Sequence, residues 1–145
     1  MKITIFLSLL SLSVLSQEAH WLNNIDSAKT LSTEYRKIIL LKFSGSDWCA
    51  NCKRLEQCFF ETEEFKKFAT ERLVLLEADF PLRKKNKLSD EQQVHNDQLA
   101  NKFNKQGDFP LVLILNNQGE LLGKIDTRQN DIQAYFTQIK TFKIK

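Results

Sequence analysis

With 145 residues, 42% hydrophobic and 27% charged, the chain has the size and balance of one soluble globular domain. Its 11 Phe against 4 Gly and 2 Pro exclude a low-complexity or collagen-like chain. A net charge of +3, without a Lys/Arg block interleaved with aromatics, argues against nucleic acid, and 3 Cys are too few for a disulfide-stapled mini-protein.

Met1-Lys2 followed by the apolar stretch Ile3 to Leu15 has the form of a secretory leader. Val14-Leu15-Ser16 supplies small residues where a signal peptidase reads, so cleavage is expected before Gln17, leaving one domain over 17–145. A membrane anchor is the weaker alternative, because spanning a bilayer takes about 20 residues. The mature protein is therefore expected to be exported, periplasmic or extracellular. In such an oxidising compartment thiols either pair or do redox work.

Apolar spacing from Trp21 to Leu31 predicts a helix over Gln17 to Thr33. Ile38 to Phe43 is a short, β-branched apolar run and reads as a buried strand. Ser46 or Asp47 is available to cap a helix starting near Cys49 and running through Leu55. A second helical stretch, Glu61 to Thr70, turns Phe65 and Phe68 inward, and Leu73 to Ala78 reads as a strand. Pro81 to Lys87 is a basic loop, a solvated connection by default and a docking patch for an acidic partner otherwise.

Ser89 with Gln92 has the spacing of a capping box, opening a helix to about Asn104 with Val94, Leu99 and Phe103 on its apolar face. Leu111 to Leu115 is the most strand-like run, and Asn116 to Gly119 turns it into a hairpin with Glu120 to Asp126. Asn130 or Asp131 caps a last helix in which Ile132, Tyr135, Phe136 and Ile139 share one face. The order helix, strand, helix, strand, helix, strand, strand, helix predicts an α/β fold: a mixed sheet with helices on both faces.

Cys49-Ala50-Asn51-Cys52 sits where the first long strand gives way to a helix. Two intervening residues in a helical turn bring the sulfurs within disulfide reach. Backbone N–H groups at a helix N-terminus stabilise a thiolate there. An unperturbed thiol titrates near ~8.5, so a modest downward shift raises its reactive fraction at neutral pH. Cys49 is thus the expected nucleophile, and Cys52, one turn in and less exposed, the resolving thiol. Trp48 would lie beside them as an apolar platform.

Three other readings compete. A zinc site would need two further ligands from Cys58, His20 and His95, with no second Cys-x-x-Cys. A structural disulfide closing so short a loop gains little entropy. Copper capture lacks a Met or His cluster. Cys58, six residues beyond Cys52, is expected to be a buried, inert thiol beside Phe59 and Phe60. His20 and His95 read as surface or helix-end residues.

The run Phe43 to Leu55, with Gly-Ser-Asp-Trp-Cys-x-x-Cys at its centre, resembles the active-site segment of the thioredoxin-like superfamily, and in particular its exported thioredoxin family proteins. The similarity continues through Glu77 to Pro81, Asn96 to Phe103, Gly107 to Leu115 and Gly119 to Asp126. The resemblance implies a thioredoxin fold and thiol–disulfide exchange at Cys49 and Cys52, with no metal or organic cofactor. It also implies a cis-proline facing the cysteines. Pro110, after Phe109, matches that position, and these two with Trp48 would form the substrate groove. The expected partners are proteins bearing thiols or disulfides and a membrane thiol electron donor, and the expected state is a monomer. Reduction of substrate disulfides is favoured over their formation. A non-catalytic binding or chaperone-like module on the same fold, with a structural disulfide, is the alternative, and a metal carrier a more distant one.

Three departures stand out. Ala50-Asn51 replaces the Gly-Pro of thioredoxins proper, and this dipeptide helps set reduction potential. Leu111 replaces the Thr often found after the proline. Lys42 stands near the position of a buried acid that aids the resolving cysteine in many relatives, and is expected to point outward into solvent.

Overall fold

The computed structural model describes residues 19–143; the leader expected at 1–16 and its cleavage site lie outside them. Five strands form one mixed sheet: β1 (Trp21–Leu22), β2 (Ile38–Ser44), β3 (Leu73–Asp79), β4 (Leu111–Leu115) and β5 (Leu121–Ile125), in the spatial order β1-β3-β2-β4-β5. β1 and β2 run parallel to β3, whereas β4 is antiparallel to β2 and β5 to β4. Every residue of β2 and of β4 is buried, as their unbroken apolar runs require of strands covered on both faces.

Alternate residues of β2 feed two cores. Ile38 and Leu40 meet Leu55, Phe59, Phe65 and Phe136, contributed by α2 (Ala50–Leu55), the segment after it, α3 (Glu63–Arg72) and α5 (Ile132–Lys140). Ile39, Leu41 and Phe43 meet Ala28 and Leu99 of α1 (Ile25–Tyr35) and α4 (Asp90–Phe103) on the other face. Helices on both faces of a mixed sheet are the architecture expected from the element order.

The differences from expectation have local causes. The first helix begins at Ile25, not Gln17, because the Asn24 side chain accepts from the N–H groups of Asp26 and Ser27 and so starts it there. Trp21–Leu22 instead adds a short strand beside Leu75 and Leu76. Neither Ser46 nor Asp47 caps α2; the Cys49 sulfur takes that place. In the expected capping box only half forms. Ser89 accepts from the Gln92 N–H, while the Gln92 side chain donates to the Asn23 carbonyl and Asn96. Val94 is 55% exposed rather than on the apolar face, whereas Leu99 is buried. The last helix follows its pattern, with Asp131 as cap and Tyr135, Phe136 and Ile139 buried.

After α2 the chain widens into one π-helical turn, Glu56–Phe60, in which the Glu61 N–H bonds the Glu56 carbonyl at 2.9 Å. The wide turn lets consecutive Phe59 and Phe60 both enter the core. Cys58 is turned outward and is exposed, not buried as its neighbours Phe59 and Phe60 suggested.

Lys42 also corrects the sequence reading. It points inward and is 4% exposed. Its Nζ lies 2.6 Å from Glu56 Oε2 and 3.0 Å from Glu77 Oε1, and 4.0 Å above the Trp21 ring. Glu77 is its direct partner across the β2–β3 pair, so the sheet register itself brings the two charges together. Burial raises the Glu77 carboxyl above its ordinary pKa, against the opposing pull of Lys42.

Candidate active site

Cys49 and Cys52 form a disulfide at the N-terminus of α2, with Cα atoms 5.2 Å apart. The backbone N–H of Cys52 donates to the Cys49 sulfur at 3.1 Å. That donor is one of the unpaired groups at a helix start, and after reduction it would favour a Cys49 thiolate. The two residues differ little in exposure, 6% for Cys49 and 5% for Cys52, where the sequence led us to expect a clearly more open first sulfur.

The approach to the cysteines is stitched to the end of β3. The Phe80 N–H donates to the Ser44 carbonyl at 2.9 Å. Ser46 donates through its N–H and hydroxyl to both oxygens of Asp79. The indole N–H of Trp48 donates to the Phe80 carbonyl at 2.7 Å. Asp47 accepts from the N–H groups of Leu82 and Arg83 and from the Asn86 amide, at 2.9, 3.0 and 2.9 Å. These bonds, the Leu82 N–H first, outweigh the cost of burial and lower the Asp47 pKa from 3.8 to about 2. A lowered acid pKa holds the ionised, loop-gripping form through mildly acidic pH and releases it only as pH falls toward that value.

Trp48, 43% exposed, packs edge-on against Phe109 with ring centroids 5.3 Å apart, and Phe109 meets Phe80 at 5.6 Å. The Phe109–Pro110 peptide bond is cis. Both residues line, with Asn51 of the Cys-x-x-Cys turn, an open groove of about 820 Å³ that is also lined by Arg54, Asp108, Lys124 and Arg128. Of the five residues expected at the site, Trp48 packs on Phe109, and Phe109 and Pro110 share the groove with Asn51, which lies between Cys49 and Cys52; Trp48 and the two cysteines do not themselves line that groove. Sequence reading missed Phe80 as the third ring and Asp47 as the clasp on the following loop. In the sequence Asp47 reads only as a possible helix cap, because its partners lie 35 to 39 residues away.

Gly45 makes room for the indole. A Cβ there would lie 2.3 Å from Trp48 Cε2 and 2.6 Å from Nε1. Gly45→Ala is expected to push the ring aside, break its bond to Phe80 and cost ~1–3 kcal/mol in urea unfolding, with faster exchange of the Trp48 indole proton by NMR. An unchanged indole proton would show that the backbone yields instead.

His95 lies midway along α4 and half-buried rather than at a helix end or on the surface, and it accepts at Nε2 from the Ile25 N–H at the start of α1. Among the described residues no helix is long and apolar enough to cross a membrane.

Comparison with known proteins agrees with this geometry. Residues 20–117 match the family model described as thioredoxin-like. A relative named disulfide bond reductase DsbH, from Chlamydia pneumoniae, is 32% identical over 110 residues, covering 76% of this chain and 64% of the relative. The chain thus spans just under two thirds of that protein's length. A solved structure titled DsbH oxidoreductase superposes with a TM-score of 0.76 at 28% identity, covering 94% of this chain and 93% of that one. A thioredoxin from Thermus thermophilus (TM-score 0.62, 12% identity, 86% and 87% covered) and a disulphide isomerase from Xylella fastidiosa Temecula1 (0.59, 15%, 81% and 86%) share the fold. With its mixed sheet, its Cys-x-x-Cys turn and a family match across most of its length, the chain belongs to the thioredoxin-like family.

Proposed function

We propose that the chain is an exported thiol–disulfide oxidoreductase that reduces disulfides in other exported proteins. The observation that carries this reading is the Cys49–Cys52 disulfide at a helix N-terminus, one sulfur accepting the Cys52 N–H, beside a groove with Pro110 in its wall. In the reduced protein the Cys49 thiolate attacks a substrate disulfide. One substrate sulfur leaves as a thiolate and takes a proton, and a mixed disulfide remains. The Cys52 thiolate then attacks the Cys49 sulfur, closing the internal disulfide and releasing the second substrate thiol. Two electrons pass to the substrate, and a dithiol donor at the membrane restores the pair. Trp48, Phe109 and Pro110 hold the substrate chain. The sulfur pair itself carries the electrons, so this chemistry uses neither metal nor organic cofactor, and one copy of the chain suffices.

The direction draws support from the names of the relatives, a disulfide bond reductase and a DsbH oxidoreductase. Equilibration with glutathione buffers tests it. A reductase is expected to have a potential nearer that of thioredoxin, about −270 mV, than that of the oxidant DsbA, about −120 mV. A value near the latter would reverse the direction. The low exposure of both sulfurs favours a second reading, a binding module with a structural disulfide. Under that reading, reduced Cys49 would alkylate with the pH profile of a free thiol and the protein would not turn over insulin.

A further inference from the structure

Bonded to Asp47, two residues before the first cysteine, is a loop of five consecutive exposed residues, Arg83-Lys-Lys-Asn-Lys87, preceded by Leu82 at 75% exposure. This loop is built rather than loose. Asp47, two residues before Cys49, grips the Leu82 and Arg83 N–H groups and the Asn86 side chain. A 3₁₀ turn over Lys84–Asn86 closes it through Asn86 N–H to Arg83 and Lys87 N–H to Lys84 carbonyl bonds. The grip uses main-chain groups and Asn86, so it leaves the cationic side chains outside.

Their charge is poorly offset. Among the described residues Lys84 and Lys85 have no carboxylate in ion-pair range, and Lys87 meets only Asp90 at 3.5 Å, both highly exposed. Arg83 lends its charge to Asp47. Along the groove, by contrast, Lys124 pairs with Asp108 and Arg128 with Asp126, while Arg54 donates to the Asn130 side chain and the Thr127 carbonyl. On the Trp48 side the loop therefore presents clustered cations of which only Lys87 has an ion pair among the described residues. That side also bears two exposed apolar side chains, Trp48 and Leu82, tied to one framework by Asp47 and the Phe80 carbonyl.

We propose that Leu82 to Lys87 is a docking surface for the protein substrate. It receives an acidic stretch flanking the substrate cysteine, with Leu82 and Trp48 taking an apolar side chain. This rests on the redox reading for its purpose but not for its test. Individual exposed ion pairs contribute little to affinity. A one-signed cluster at the mouth of a site acts instead through steering, worth 10-fold or more in association at low salt and screened away at high salt.

The test separates docking from chemistry. Fluorescein-labelled peptides identical except for Asp/Glu or Lys around a Ser in the cysteine position are titrated against the oxidised protein by anisotropy. The acidic peptide is expected to bind ~10-fold more tightly at low ionic strength, with the preference gone near 1 M salt and inverted by the double substitution Lys84→Glu, Lys85→Glu. Leu82→Ser is expected to weaken both peptides. Reduction of the uncharged hydroxyethyl disulfide by reduced protein should be the same with and without the lysine substitutions. Equal affinity for the two peptides, or no effect of charge reversal, overturns the proposal. So does binding to phosphatidylserine vesicles without a peptide preference, which assigns the loop to a membrane surface. Acidic-peptide preference in a protein that turns over no disulfide would uphold the docking surface and refute the redox reading alone.

Discussion

Cys52→Ser is expected to stall exchange at the covalent complex between Cys49 and its substrate. The first attack needs only the Cys49 thiolate, whereas release needs a second sulfur close enough to strike the first, and Cys52 supplies it with its Cα 5.2 Å away. Serine cannot replace it, because the thiolate is the nucleophile in this chemistry and a hydroxyl stays protonated. Mixed disulfides should therefore accumulate on non-reducing gels, and mass spectrometry of their tryptic peptides should find the Cys49 peptide joined to substrate. Cys49→Ser is expected to lower insulin reduction by ~10³-fold or more, as loss of a nucleophile does where no neighbour replaces it. Cys58→Ser should leave the rate unchanged, since the π-turn directs that side chain to solvent away from the pair. Adducts through Cys58, or a Cys49→Ser protein that still turns over, would reverse the assignment.

The second large effect is expected at Lys42. Lys42→Met keeps the length and most of the apolar contact with Trp21 but leaves Glu56 and Glu77 facing each other without their cation. Removing Lys42 strands two carboxylates that are only partly shielded from water, at a cost of ~1–3 kcal/mol. The pH dependence has a definite sign. The Glu77 carboxyl is already raised by burial, and without Lys42 it rises further, so the folded variant binds a proton more readily than the unfolded chain. The deficit is therefore full at neutral pH and shrinks as pH falls through the raised value. Urea unfolding at pH 7.5 and at pH 5 measures it, and adding Glu77→Gln should recover part of the loss at pH 7.5. An equal deficit at both pH values would mean that Lys42 acts through packing rather than charge.

Lys42 also illustrates where the sequence becomes unreadable. The β2, β3 and β4 runs announce themselves through four or five consecutive apolar residues each, and Trp48-Cys-x-x-Cys52 carries its chemistry within one local motif. In a strand buried on both faces, however, alternation cannot say which face a lone lysine takes. Its partners lie 14 and 35 positions away and meet it only once the sheet has formed. Cys58 fails for a different reason. Its burial is expected from the adjacent Phe59 and Phe60, yet one π-turn sends both rings into the core while turning Cys58 out, without any residue-level signal. β1, two residues long, is too short for any periodicity to register. Pro110 and Phe109 were placed at the site through the resemblance, because nothing near them in the chain points to Cys49.

The Asp47 clasp has a consequence of its own. Since it holds amide hydrogens that nearly every amino acid possesses, plus a single asparagine and the nearby charge of Arg83, it asks almost nothing of the side chains at positions 84, 85 and 87. Their identities are thus insulated from folding and from the sulfur chemistry alike. Selection can rewrite the sign and pattern of that rim, and with it the clientele the molecule greets, while the machinery underneath stays as it is.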